Sequence, residues 1–330
     1  MDHKFAQRLC SPFSVLLICL TVSATEAQEP VASLQSVDAA VAAGSAQAGA
    51  ELMRAVVDQI EQHQTISAKV RHRANLYDQK LVGSGVYLQR ESEQGTQIHF
   101  ALSVKAGERL VSLLHVTDGR FLYLRDNLDD RLKVGRVDLQ RLRRAGAGED
   151  AALSPAAWMT GGGLPQLLRS LATNFEIAPP QAAVLQGVPV WALSCTWSPT
   201  RLVEIWPQAN QFVDESGRLV AERLPEQFPD RIFVLVGQDD LFPYRIDYRR
   251  GKQVDGIGRL AGDTSASRSI ATMELFEVQF NAPLDPLLFA YRPGNDEKLE
   301  DRTDDYLARL KRHALPVKQT ASAPSDEIRN

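Results

Sequence analysis

The chain has little cysteine, no excess of one charge and no long apolar run, and each shortage closes off a class of protein. Of 330 residues, three are cysteine. Cys10 and Cys19 sit in the N-terminal stretch that reads as a removable signal, so Cys195 is left alone and an internal disulfide is excluded. Without such staples the fold needs a hydrophobic core. Lys and Arg number 37 against 41 Asp and Glu, a net charge of -4, which argues against a nucleic-acid binder. The apolar stretch from Phe13 to Val22 is too short to cross a bilayer as a helix.

Catalytic signatures are also scarce. Gly-x-Ser-x-Gly and His-Glu-x-x-His do not occur. His63, His72, His99, His115 and His313 are scattered without metal-ligand spacing, and they read as hydrogen-bonded or solvated histidines. Cys195 has no neighbouring cation or helix start to form a thiolate, so it reads as a small buried thiol. Gly161-Gly162-Gly163 lacks the Lys-Ser/Thr of a phosphate loop and reads as a hinge. Asp239-Asp240 reads as a solvated turn rather than a metal site. The expectation is no enzyme, no metal and no cofactor.

What is present begins with an export pattern. Lys4 and Arg8 precede the apolar stretch, and the small residues Ala24 and Ala27 follow it, as in a secretory signal cleaved after one of them. Ile18 before Cys19 is too large for a lipoprotein signal, so the mature chain is expected to be soluble, exported to the periplasm and without a lipid of its own. The division expected is a signal peptide at 1–27, a flexible leader at 28–48, one folded domain at 49–312 and a disordered tail at 313–330.

Within that domain, Leu52, Val56, Val57 and Ile60 make a helical stripe over Glu51–Gln62. The period then drops to two. Ile66, Ala68, Val70, His72, Ala74 and Leu76 alternate with polar residues, giving one dry face and one wet, cationic face. Strands are expected at 81–89, 96–104, 109–117 and 121–125. A short helix over Val137–Arg144, a loop at 147–155 and a second helix over Leu164–Leu171 come next. Strands resume at 175–177, 188–197, 201–205, 231–236, 244–250 and 270–281, with a long polar loop at 251–267 and a closing helix at 304–312. This inventory predicts a mostly β (α+β) fold: an unclosed antiparallel β-barrel, or half-barrel, with an N-terminal helix and short lid helices over an apolar cavity.

Candidate lining residues are Val86, Leu88, Ile98, Phe100, Leu102, Phe121, Tyr123, Phe233, Leu235, Ile246, Tyr248, Phe276, Val278 and Phe280 on strands. Leu164, Leu167, Leu168 and Leu171 supply the lid face. Core packing alone would account for every one of these; a ligand site needs more apolar inner surface than the helices cover. Arg136, Arg141, Arg143 and Arg144 form a basic cluster, suited either to anionic headgroups or an acidic partner or simply to a solvated helix face.

Four segments, in order, resemble the LolA-like family of lipoprotein carriers, with its relatives LolB and RseB. Gly83-Ser84-Gly85-Val86-Tyr87-Leu88-Gln89-Arg90 is similar to the family's early strand. Val116-Thr117-Asp118-Gly119-Arg120-Phe121-Leu122-Tyr123 is similar to its Asp-Gly turn and aromatic strand. Leu164-Pro165-Gln166-Leu167-Leu168 with Asn174-Phe175-Glu176-Ile177 resembles the lid helix and the strand after it. Phe276 to Asn281, Leu284-Asp285 and Phe289-Ala290-Tyr291-Arg292-Pro293 resemble the closing strand and ending. The carriers end the early strand in Arg-Pro, an arginine that helps hold the lid closed; here Glu91 stands at that place and the role is not carried over. The resemblance implies an unclosed barrel whose cavity accepts lipid or lipoprotein acyl chains without catalysis. A protein-interaction or sensor module like RseB, binding an envelope protein, is the alternative it leaves open.

Overall fold

The structure is a computed structural model, and it describes residues 47–76, 79–106, 109–128, 131–144, 162–226, 228–251, 267–295 and 297–314. The expected signal peptide, the leader up to 46, the loop at 147–155, Gly161, the polar stretch 252–266 and the tail from 315 lie outside the described residues.

Helix α1, Ala48–Glu61, opens the chain. Six strands follow: β1 Thr65–Leu76, β2 Gln79–Arg90, β3 Gln97–Ala106, β4 Arg109–Thr117, β5 Phe121–Leu128 and β6 Arg131–Asp138. Two helices come next, α2 Leu139–Arg144 and α3 Gly163–Asn174, then β7 Phe175–Ile177, β8 Gln181–Leu185 and β9 Val188–Trp197. Helix α4, Pro199–Ile205, leads through short 3-10 turns to β10 Arg231–Gly237, β11 Pro243–Gly251 and β12 Ser267–Phe280. A short β13, Leu299–Asp301, precedes α5, Thr303–Ala314.

Among the described residues, thirteen strands join one sheet in the order β13-β6-β5-β4-β3-β2-β1-β12-β11-β10-β9-β7, with β8 also on β9. Every pairing is antiparallel except β13 on β6. The sheet is unclosed. Laid flat, it would set β5 about 38 Å from β9 at ~4.8 Å per strand. Yet Leu122 of β5 and Leu193 of β9 belong to one connected core beneath α1 and α3, so the sheet curls around its helices. Strand β1 lies in the middle, and its alternation holds: Ile66, Ala68, Val70, His72 and Ala74 face the helices and Lys69, Arg71 and Arg73 face out. A bulge between Ser67 and Lys69, with Glu277 at φ 50°, resets the register with β12.

Two expected elements differ. The strand expected at 201–205 is helix α4: Pro199 at its first turn fixes a helical φ, and Leu202 and Ile205, three apart, bury one face. The helix expected from Val137 starts at Leu139, because Val137 and Asp138 finish the unforeseen strand β6 and the Asp138 carboxylate accepts the Arg141 N–H at 3.0 Å.

The segment after β12 is a strap across the outer face. His99 Nδ1 lies 2.7 Å from the Leu288 carbonyl, Phe289 is buried under Arg90, and Tyr123 stacks on Tyr291 at 5.4 Å. Arg125 donates to Glu297 at 2.8 Å, and with Tyr291 and the Gly294 N–H it holds the Glu297 carboxyl down at about 2.

Candidate functional site: the covered concave face

Antiparallel neighbours share a face, so the register sets which side chains line the concavity. Tyr87 pairs with Phe100, Gln89 with Ile98, and Val234 with both Ile246 and Leu193. Ile98, Phe100, Leu102, Ile246 and Tyr248 accordingly point inward and are buried, and Val278 and Phe280 pack against the same core. Leu164, Leu167, Leu168 and Leu171 of α3 are all buried against α1 and the sheet. These eleven sequence-predicted positions meet in one place.

The other seven do not. Val86 and Leu88 are one residue out of phase with Tyr87 and face outward, and Val86 is 36% exposed. Phe121 and Tyr123 lie on the outer side of β5, Phe121 against Arg120 and Arg136 and Tyr123 under the strap. Phe233 carries Arg231 and Arg249 over its ring, and Phe276 carries Arg71. Leu235 belongs to a separate small cluster with Val190 and Ala192. Each of these strands bears apolar residues on both faces, so alternation alone could not choose between them.

The concavity is closed. Leu52, Val56, Ile66, Ile98, Leu122, Leu164, Leu168, Leu171, Leu193 and Ile246 are at most 1% exposed, so no water-sized void opens onto them.

Helix α3 is held at its start by a contact that the sequence reading missed. The Tyr87 hydroxyl accepts the Leu164 N–H at 3.1 Å and donates to Gln89 Oε1 at 2.5 Å. Tyr87 is fully buried, and burial pushes its ionisation well above the ordinary range, so it stays a neutral donor. No side chain caps this helix; the tyrosine fills that duty from across the cavity. Just before it, Gly162 and Gly163 sit at φ 129° and 69°, a backbone that other residues resist. A Cβ at Gly163 would also run into the Tyr87 hydroxyl. One signal was available: a strand facing Ile98, Phe100 and Leu102 in register turns Tyr87 inward. At the far end of α3 the Asn174 side-chain amide donates to the Ser170 carbonyl at 2.8 Å, and the Asn174 backbone carbonyl accepts the Ser198 N–H at 3.0 Å. Between these ends, the Ser170 hydroxyl is buried with no hydrogen-bond partner among the described residues.

The basic cluster is split. Arg136 pairs with Asp301 at 3.2 Å and Arg141 with Asp304 at 2.7 Å, which ties both to the C-terminal segment; Arg143 and Arg144 are exposed on α2. Cys195 is buried on the inner side of β9. His63 stacks on Phe280, His115 meets Asp126 at 3.3 Å, and burial lowers His72 to about 4. Asp240 accepts the Phe242 N–H at 3.0 Å and the Tyr244 hydroxyl, which makes it a turn former. No group of three or more His, Cys, Asp or Glu among the described residues could hold a metal.

No protein-family profile and no curated protein matches the sequence. Solved structures similar to the chain include a DUF1329 family protein from Desulfovibrio piger, at 12% identity and a TM-score of 0.32 over 74% of this chain and 97% of that one. The lipoprotein LppX of Mycobacterium tuberculosis is similar at 12% identity and a TM-score of 0.36, over 73% and 99% of the two chains. The Pseudomonas aeruginosa MucA/MucB complex is similar at 10% identity and a TM-score of 0.37, over 74% of this chain and 61% of that one. Identity at this level says nothing of ligand or partner.

Proposed function

We propose that the chain is a non-catalytic binder or carrier of lipid or lipoprotein acyl chains, which it takes between the concave sheet and helix α3, and that it works in the periplasm after export. One observation carries this reading: the concave face is mostly apolar, with His72, Gln89 and the Tyr87 hydroxyl its few polar groups, and the helix covering it starts at two positive-φ glycines, where a single tyrosine hydroxyl holds its first turn. Such a surface offers little to a polar substrate and a great deal to hydrocarbon. The partnerless Ser170 hydroxyl weakens the closed state, as befits a helix that must leave.

The magnitudes bear on the cargo. Exposing the four α3 leucines costs about 1.5–3 kcal/mol each, roughly 6–12 kcal/mol together. Each acyl methylene returns about 0.8 kcal/mol, so about 8–15 methylenes only restore the balance. A single long chain breaks even, and a ligand with two or three chains binds. The test is native mass spectrometry of the purified protein, followed by displacement of a fluorescent fatty-acyl probe with one-chain and two-chain lipids. The expected result is co-purified multi-chain lipid and tighter competition by two-chain lipids.

A second reading is favoured by the closed interior itself. A concavity already filled by its own leucines serves equally as the core of a module that binds an envelope protein on its surface. Absence of any probe binding and of any bound lipid would select that reading.

A further inference from the structure

From Ile177 to Thr200 the sequence contains no Asp, Glu, Lys or Arg, in a chain that is 24% charged. Burial explains the half of β9 beneath α3. It does not explain the β8–β9 hairpin, which stands in solvent with Val184 71% and Val188 47% exposed. Gln186 and Gly187, at φ 50° and 88°, make the tight turn that carries these valines outward. The base is fixed: the Gln238 N–H donates to the Pro189 carbonyl at 3.2 Å and its amide to the Val190 carbonyl at 3.1 Å. Ala183 and Leu185 pack on Val190, Ala192 and Leu235. The projection is therefore a braced, uncharged, apolar tip with half-buried Trp191 at its root.

Its place in the fold matters. Val190 pairs with Gly237 and Ile66 with Phe280, so the tip extends from the same end of the sheet as the start of β1, the end of β2 and the hinge of α3. Leu287 and Leu288 are exposed on the outer flank of that end too.

We infer that the β8–β9 hairpin is a lipid-docking wedge, which seats this end of the sheet on the uncharged interfacial region of a bilayer. The inference rests on the acyl-chain reading for its purpose, since a cargo of that kind is taken from or delivered to a membrane. Its physical grounds are separate. Charges are costly below the headgroups and the hairpin has none. An added peptide strand fits less well, because Pro179 and Pro180 interrupt the edge on which β8 lies and leave only five residues to pair with. Two valines with a leucine and a proline bury little area, so the docking is weak and reversible.

The test is flotation of the full chain with phosphatidylcholine vesicles, for wild type, the double variant Val184→Asp/Val188→Asp, and Leu110→Asp. Leu110 is 65% exposed at the opposite end of the sheet and serves as the control. The expected result is partition that is insensitive to salt, at least fivefold weaker in the double variant and unchanged in Leu110→Asp. Binding of the acyl probe in solution and the melting temperature are read on the same samples, and both stay at wild-type values. Equal flotation of all three proteins overturns the wedge while leaving acyl binding standing. So does binding that appears only with anionic vesicles and vanishes with salt, or a dimer by light scattering that the double variant dissolves. Absence of probe binding by the wild type with its flotation intact would instead sink the acyl reading and keep the wedge.

Discussion

Replacing Tyr87 by Phe removes one oxygen from the wall opposite α3 and leaves the ring in place. The hydroxyl is buried, accepts from Leu164 at 3.1 Å and donates to Gln89 at 2.5 Å. Its loss strands an N–H and an amide oxygen in a dry site, and each stranded group costs about 1–3 kcal/mol. The Leu164 N–H regains water when the helix swings out, so its share of the cost falls on the closed form alone. Taking 1–2 kcal/mol for that share, the ratio of open to closed protein rises about 5- to 30-fold. While the open form is rare, apparent affinity for an acyl probe rises by the same factor. The assays are probe titration, thermal melting and hydrogen exchange of the α3 amides. Tyr87→Phe is expected to melt earlier, exchange faster along α3 and bind the probe more tightly. Earlier melting with unchanged affinity and unchanged α3 exchange would refute the reasoning, since the hydroxyl would then stabilise the whole fold and not one position of the helix.

Further outcomes follow from the same geometry. Leu168→Ala, at a site with no exposure, is expected to cost about 2–5 kcal/mol in urea unfolding and to raise probe affinity as well. Ser170→Ala removes the hydroxyl that lacks a partner and should do the reverse, raising stability by about 1 kcal/mol and lowering probe affinity. For His72, burial depresses the folded value to about 4 from 6.5, so as pH falls through 6.5 the unfolded chain takes a proton that the folded chain refuses until about 4. Stability is then full above 6.5 and declines towards 4; His72→Gln should flatten the urea midpoint against pH in that window.

Much of this could be read from residues alone, and the misses have a common cause. The stripes of α1 and α3 and the alternation of β1 were legible because each buries one face and wets the other. The facing of β5 was not, because its outer side carries rings as well: Tyr123 stacks on Tyr291 of the strap and Phe121 lies under Arg120 and Arg136, while Leu122 and Leu124 pack inside. β2 failed as well, with apolar Val86 and Leu88 outside and Tyr87 inside. Strands β8 and β13 are short edge pieces that carry no periodic signal. The Tyr87–Leu164 contact joins residues 77 positions apart and depends on the β2–β3 register, which no local pattern encodes.

The position of β1 also governs how the molecule comes together. Its hydrogen-bonded neighbours are β2, next along the chain, and β12, reached only after most of the chain has been made; the Arg71–Glu274 contact between them spans 203 residues. A β1–β6 meander can grow by local hairpins, whereas β9 reaches β10 only across α4 and the 3-10 turns, and the seam between β1 and β12 is a far longer-range pairing, of the kind that slows folding. Until it closes, the central strand of the finished sheet is an open edge, with Ile66, Val70 and their partners exposed. A chain threaded out N-terminus first displays that edge throughout its emergence, so the step most open to misassembly is the joining of two halves down the middle of the sheet.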